Sequence, residues 1–208
     1  YNKMLKKFFS DEDRKEFESM IRNNMVIILN SRQLKGSKLM KGESKKIYLQ
    51  EILFDLIGYP GIICGAAHTF KNNIHQETIC YSNKKGIGIV HSGDTTNFNG
   101  YSQHIIKINL NQLDPLVNKI YLTLSSCGVN YLSSFTEVKF NIFDQKNPNH
   151  QLVYYNLDGD ISNSRSAIMS KLVKDSQGVW TITALGTLCK ERCCGNYKVI
   201  YDLIDQIN

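Results

Sequence analysis

The sequence predicts an all-β fold: a two-sheet β-sandwich with an added N-terminal helix and a short C-terminal helix. Three observations carry this. Apolar stretches of strand length recur at roughly 8–15-residue spacing, punctuated by Gly, Asn, Asp and Ser. Several of these stretches alternate apolar with polar side chains, the pattern of a half-buried strand. Strand-favouring aromatics are plentiful, with eleven Tyr and nine Phe, and isoleucine is also frequent, while proline occurs three times.

The helix comes first. Ser10 suits an N-cap, and Asp13 stands three residues on in an approximate capping box. Asp11, Glu12 and Asp13 suit the positive end of the helix dipole, and Arg22 suits the other end. Phe17, Met20 and Ile21 then form one apolar stripe, and Asn23 and Asn24 close the element. This piece is expected to be an extension, residues 1–30, that docks onto a larger body, its own or a partner's.

The remainder, residues 31–208, reads as one sandwich domain. Met25–Leu29 is a short apolar run ahead of it. Lys45–Leu49, Ile62–Ala67, Glu77–Tyr81 and Ile87–Val90 are the first strand candidates. His104–Leu110 sets Ile106, Ile108 and Leu110 against Lys107 and Asn109, and Lys119–Ser125 follows. Glu137–Phe143 alternates Val138, Phe140 and Ile142 with Lys139 and Asn141. Gln151–Asn156, Ser166–Lys174 and Val179–Leu185 complete the series. Trp180 alternates with Ile182 and Ala184, which predicts an indole in the core. Val199, Ile200, Leu203, Ile204 and Ile207, at mixed spacings of three and four, predict the terminal helix.

Composition narrows the function classes. With 42% apolar and 21% charged residues over 208 positions, the chain is folded rather than disordered. The net charge of +6 lies wholly within residues 1–85; the rest is balanced. Within that part, Arg32, Lys35, Lys38, Lys41, Lys45 and Lys46 form a basic run broken by Gly and Ser. Such a run suits an acidic protein surface or anionic lipid, or serves simply as a solvated edge that discourages sheet-to-sheet pairing. Without interleaved aromatics it does not suggest nucleic acid. Ile47–Ala67 is the most apolar stretch, yet Gln50, Glu51 and Asp55 argue against a membrane span. No signal-peptide pattern is present, the first residue Tyr1 suggests a longer precursor, and a reducing, cytoplasmic setting is expected.

From about residue 39 the sequence resembles the tellurium-resistance (TerD-like) stress-protein family. The resemblance rests on Leu39–Leu49, on Ser92-Gly-Asp-Thr-Thr96 followed by Ile105–Leu110, on Leu113–Ser126 and on Phe135–Asp144. Tyr154–Ser162, Ser166–Leu172 and Gly178–Gly186 with its tryptophan continue it in order. It implies a two-sheet β-sandwich with calcium held by acidic loops at one end. This chain keeps Gly93 and Asp94, with Asn97 and Asn99 as further oxygen donors. Tyr59–His68 and Asn99–His104, where the family's other acids would fall, contain no carboxylate. Calcium takes six to eight oxygens, several of them charged, so the site is expected to be degenerate and no cofactor is expected.

Other constellations are read as structural. Cys189-Lys-Glu-Arg-Cys-Cys194 crowds three thiols, but its spacing is not that of paired zinc ligands, and every histidine is distant in sequence. Cys64, Cys80 and Cys127 are expected to be small buried side chains. Asp158-Gly-Asp160 reads as a turn. His91 beside Asp94 lacks a nucleophile, Ser125-Ser126 lacks a nucleophile-elbow frame, and Gly86-Ile-Gly88 lacks a phosphate-loop lysine, so no enzymatic activity is expected. The expected function is a non-enzymatic interaction or scaffold subunit with protein partners in a larger assembly. The alternative is a calcium-binding stress-response protein.

Overall fold

The computed structural model describes residues 36–93, 95–96, 102–128 and 130–207. The expected helix over residues 10–24 and the run at Met25–Leu29 lie outside them. The strands are β1 (Ser37–Lys38), β2 (Ser44–Ile47), β3 (Glu51–Tyr59), β4 (Ile63–Lys71), β5 (Ile74–Cys80), β6 (Lys85–Gly86) and β7 (Ile89–His91). They continue as β8 (Thr95–Thr96), β9 (Ser102–Asn109), β10 (Lys119–Ser126), β11 (Glu137–Asp144), β12 (Gln151–Asn156), β13 (Ser166–Lys174) and β14 (Trp180–Cys189). A 3-10 turn, Leu132–Ser134, precedes β11, and helix α1 (Lys198–Ile207) ends the chain.

These strands form two sheets. One runs β1-β12-β11-β3-β9-β7-β6, with β8 also pairing with β9; the other runs β2-β14-β13-β10-β4-β5. All pairings are antiparallel except the short β1–β12 pair. The β4–β5 connection is a two-residue hairpin in which Asn72 and Asn73 both have positive φ, 47° and 67°, as the turn matching strand twist requires.

The inner faces share one core that includes Phe54, Ile106, Leu122, Phe140, Leu172 and Trp180. Trp180, Ile182 and Ala184 all face inward, as their alternation predicts. A smaller cluster lies outside the six-stranded sheet, where Ile200 and Ile204 of α1 pack on Phe70, Tyr121 and Ile168. Gly65 of β4 marks close approach of the sheets: a Cβ there would lie 2.8 Å from Leu56 and 3.2 Å from His104.

Strand β3 departs from the sequence reading, which contained no strand between Leu49 and Ile62. Ile52, Phe54 and Leu56 face the core, while Leu53, Asp55 and Ile57 are buried on the other side. A strand buried on both faces shows no period of two. No helix among the described residues is long and apolar enough to cross a membrane.

Candidate functional site

Among the described residues the two basic strands are edge strands. β1 ends the eight-stranded sheet and β2 ends the six-stranded sheet, and the chain passes between them through a tight turn at Gly42 (φ 84°). The turn is held by Glu43, whose backbone N–H donates to Met40 O at 2.9 Å and whose carboxylate accepts from Met40 N at 2.8 Å. Lys45 Nζ clips the edges together, donating to Ser37 Oγ at 3.0 Å and to Leu152 O at 3.2 Å.

Of the six predicted cations, Lys38, Lys41 and Lys46 are exposed and Lys45 is half-buried; Arg32 and Lys35 lie outside the described residues. The apolar stripe of Phe17, Met20 and Ile21 also lies outside them. The ion pairs among the described residues are Lys139–Glu137 and Lys146–Glu51, so none neutralises the three exposed lysines. Two apolar side chains stand beside them, Met40 at 54% and Tyr48 at 79% exposure. A cleft of about 380 Å³ continues from Tyr48 along Leu49, Leu110, Leu113 and Lys174 to Trp180. Lys174 Nζ lies 5.6 Å from the indole centroid and donates to Pro115 O at 2.9 Å.

The loop end of the sandwich is built differently. Asp94, Asn97 and Asn99 lie outside the described residues, but their approach is visible. His91 Nε2 donates to Gly65 O at 3.1 Å while its Nδ1 accepts from Gly93 N at 2.8 Å, which fixes a neutral ring. His104 Nε2 donates to Ile63 O at 2.6 Å. Two imidazoles of one sheet thus engage the carbonyls of Ile63 and Gly65 in the other. The Lys84 ammonium packs on Gly93: a Cβ at Gly93 would lie 3.1 Å from Nζ. The described groups at this end are imidazoles, an ammonium and engaged carbonyls, none of them the charged oxygens that calcium takes. Asp160, in the Asp158-Gly-Asp160 segment, caps its own turn by accepting from Ser162 N at 3.1 Å and Ser162 Oγ at 2.6 Å.

Two polar networks were missed in the sequence because their members are far apart along it. Under α1, buried His68 contacts Thr78 Oγ1 through Nδ1 and Thr123 Oγ1 through Nε2, each at 3.0 Å. Thr78 Oγ1 also meets Tyr201 at 2.6 Å and His75 Nε2 at 2.9 Å. Burial, with His75 nearby, pulls the His68 pKa down to about 3. On the outer face of the eight-stranded sheet, Asp55 accepts from Gln103 Nε2 at 2.6 Å and Asn141 Nδ2 at 3.1 Å. Burial raises the Asp55 carboxyl to about 6 against the opposing pull of those amides. A third convergence joins Cys64, Cys127 and Cys194. Cys64 is buried as expected while Cys127 is half-buried, and of the Cys189, Cys193 and Cys194 set only Cys194 joins this group.

A family model described as the TerD domain matches residues 62–192. The crystal structure of SAV2460, a protein of unknown function, superposes with a TM-score of 0.62 at 12% identity, covering 74% of this chain and 97% of that one. A homologue of telluride resistance protein (TerD), SCO6318 from Streptomyces coelicolor A3(2), superposes with a TM-score of 0.54 at 11% identity, covering 69% and 92%. At such identities the likeness is one of fold. No curated protein sequence matches the chain.

Proposed function

The chain belongs to the TerD domain family, its match spanning residues 62–192, and from that premise we propose that it is a non-enzymatic interaction subunit of a larger assembly. The observation that carries this reading is the edge formed by β1 and β2, where Lys38, Lys41 and Lys46 are exposed without a described carboxylate partner beside Met40 and Tyr48. Among the described residues each of these strands pairs on one side only, leaving backbone groups directed outward. Cations set around an exposed tyrosine and methionine suit an acidic protein surface: the charges steer the encounter and the aromatic ring supplies contact area. Arg32, Lys35 and the stripe of Phe17, Met20 and Ile21 are further contact candidates on sequence grounds alone. Its setting is the reducing cytoplasm.

The described loop-end groups favour this reading over a calcium-binding stress-response protein, because Lys84 lies against Gly93. Affinity purification of the intact chain from its native cell in low salt, with the complex sized and its metals quantified, tests the proposal. A stoichiometric, calcium-free complex is expected, and the triple charge reversal Lys38→Glu, Lys41→Glu, Lys46→Glu should release the partner. A free monomer carrying stoichiometric calcium would overturn it. So would binding to anionic vesicles without any protein partner.

A further inference from the structure

Among the described residues, one group of three His, Cys, Asp or Glu side chains brings its ligand atoms within 4.8 Å of one another: Cys64, Cys127 and Cys194. Their backbones are independently anchored. Ser125 and Ser126 of β10 pair with Cys64 and Ile63 of β4, and Cys127 N donates to Ile62 O at 2.8 Å. Arg192 Nη1 donates to Gly128 O at 2.6 Å, fastening the loop that carries Cys194 to the turn that carries Cys127. The Cys64 Cα lies 6.4 Å from that of Cys127 and 6.2 Å from that of Cys194. Cys64 is buried, while Cys127 and Cys194 are half-buried, so the cluster opens to solvent on one side.

Valence makes this arrangement informative. The Cys64 sulfur contacts both partners, but it can form a disulfide with only one of them. Any single disulfide therefore leaves a third sulfur held against the pair without a bond. An atom shared by all three satisfies every sulfur at once. Zinc–thiolate bonds of about 2.3 Å at tetrahedral angles set neighbouring sulfurs about 3.8 Å apart. The Cys127 and Cys194 sulfurs lie 3.7 Å apart, while the Cys64 sulfur lies within bonding range of both, so metal binding requires those two contacts to open.

We propose that the reduced protein binds a thiophilic d10 cation of the Zn²⁺ class through the thiolates of Cys64, Cys127 and Cys194. On binding, the three thiols release three protons to solvent and three sulfur–metal bonds form; no electron is transferred. No fourth His, Cys, Asp or Glu among the described residues joins the group, so water or an exogenous ligand takes the remaining position. The Arg192 guanidinium, held two residues from Cys194, offsets the negative charge of a three-thiolate complex. The site stands apart from the β1–β2 edge, and either proposal can fail without the other.

The test uses the full-length chain, reduced and kept anaerobic, with Co²⁺ and Zn²⁺ as probes. We expect one equivalent of Co²⁺ to produce an intense sulfur-to-cobalt charge-transfer band, and one Zn²⁺ per chain to displace it. Cys194→Ser, in a loop outside the sheets, should weaken binding by at least the roughly 10–100-fold that loss of a supporting group alone incurs. Cys189→Ser should leave binding unchanged. Should Cys64→Ser fail to fold, alkylation of the unaltered protein gives the same answer: Zn²⁺ should shield Cys64, Cys127 and Cys194 but not Cys189. A reduced, folded protein that shows no charge-transfer band, or whose band survives Cys194→Ser unchanged, would overturn the proposal. Equal alkylation of all four cysteines with and without Zn²⁺ would do so too.

Discussion

The Tyr201 hydroxyl lies 2.6 Å from that of Thr78, joining α1 to β5 across 123 residues of sequence. The same tyrosine oxygen lies 3.1 Å from His75 Nε2, and its ring packs at a tilt on the His75 imidazole, with centroids 4.4 Å apart. The helix is thus fixed at two levels, by Ile200 and Ile204 beneath it and by this polar clasp at its flank.

Tyr201→Phe keeps the ring and removes the clasp. The loss should be about 1 kcal/mol, the net value of an ordinary hydrogen bond, with some addition for a Thr78 hydroxyl left short of a partner. Hydrogen exchange should accelerate in α1 first, since a terminal helix opens locally before the sandwich does. Uniform acceleration through β10 and β13 would show instead that α1 and the sheets open as one unit.

Two buried titratable groups, His68 and Asp55, act on stability with opposite signs. His68 titrates near 3 in the folded protein against 6.5 when unfolded. The unfolded chain therefore binds the extra proton between these values, and stability falls as pH drops through this window. Asp55 titrates near 6 folded against 3.8 unfolded. Its extra proton is bound by the folded chain, so its contribution is present at low pH and is lost as pH rises through 6. Between about pH 4 and 6 the two oppose each other. Asp55→Asn removes one, and the acid slope of unfolding free energy should steepen by up to about 1.4 kcal/mol per pH unit. Denaturant titrations at half-unit intervals would measure it; parallel profiles for variant and parent would refute the assignment.

Trp180 is 4% exposed and sits in the main core. Trp180→Ala should cost about 3–5 kcal/mol, enough to unfold a marginal domain at moderate temperature. Chemical denaturation measures the loss, and a cost under about 1 kcal/mol would mean that neighbouring side chains collapse into the space.

The strands that alternate were legible in the sequence for a plain reason: β11 and β14 each bury one face more deeply than the other. β3 was hidden because Phe54 and Asp55 are both buried, on opposite faces, which erases the period of two. The basic edge was legible because Lys38 to Lys46 are adjacent along the chain and β1 and β2 follow one another. Cys64 and Cys194 lie 130 residues apart, and Asp55 and Asn141 lie 86 apart, so only strand order brings them together. Local spacing drew attention to Cys189, Cys193 and Cys194 as a set, whereas the fold selects one of them and supplies its partners from β4 and the end of β10.

Calcium provides a direct test of the loop end. With Lys84 against Gly93 and the Gly65 carbonyl engaged by His91, millimolar Ca²⁺ should leave the melting temperature unchanged. A ligand that binds only the folded state at 100 times its Kd adds about 2.7 kcal/mol, which thermal scans resolve easily. A rise of several degrees, abolished by Asp94→Ala, would restore a calcium role to that residue.

The lysines of the edge should separate by what their ammonium groups touch. Lys41 and Lys46 are exposed and belong to no ion pair among the described residues, so Lys41→Ala and Lys46→Ala should change stability by no more than about 0.5 kcal/mol. Lys45 bonds both Ser37 and the Leu152 carbonyl, bridging the edges of the two sheets. Lys45→Ala should cost about 1–2 kcal/mol, because it removes two charge-assisted hydrogen bonds that solvent partly replaces. Partner release should show the reverse order, with Lys41 and Lys46 mattering more than Lys45. Equal losses of stability at all three positions would show that Lys45 does not hold the edges together. Partner binding that depends on Lys45 alone would show that edge geometry, rather than exposed charge, is what the partner recognises.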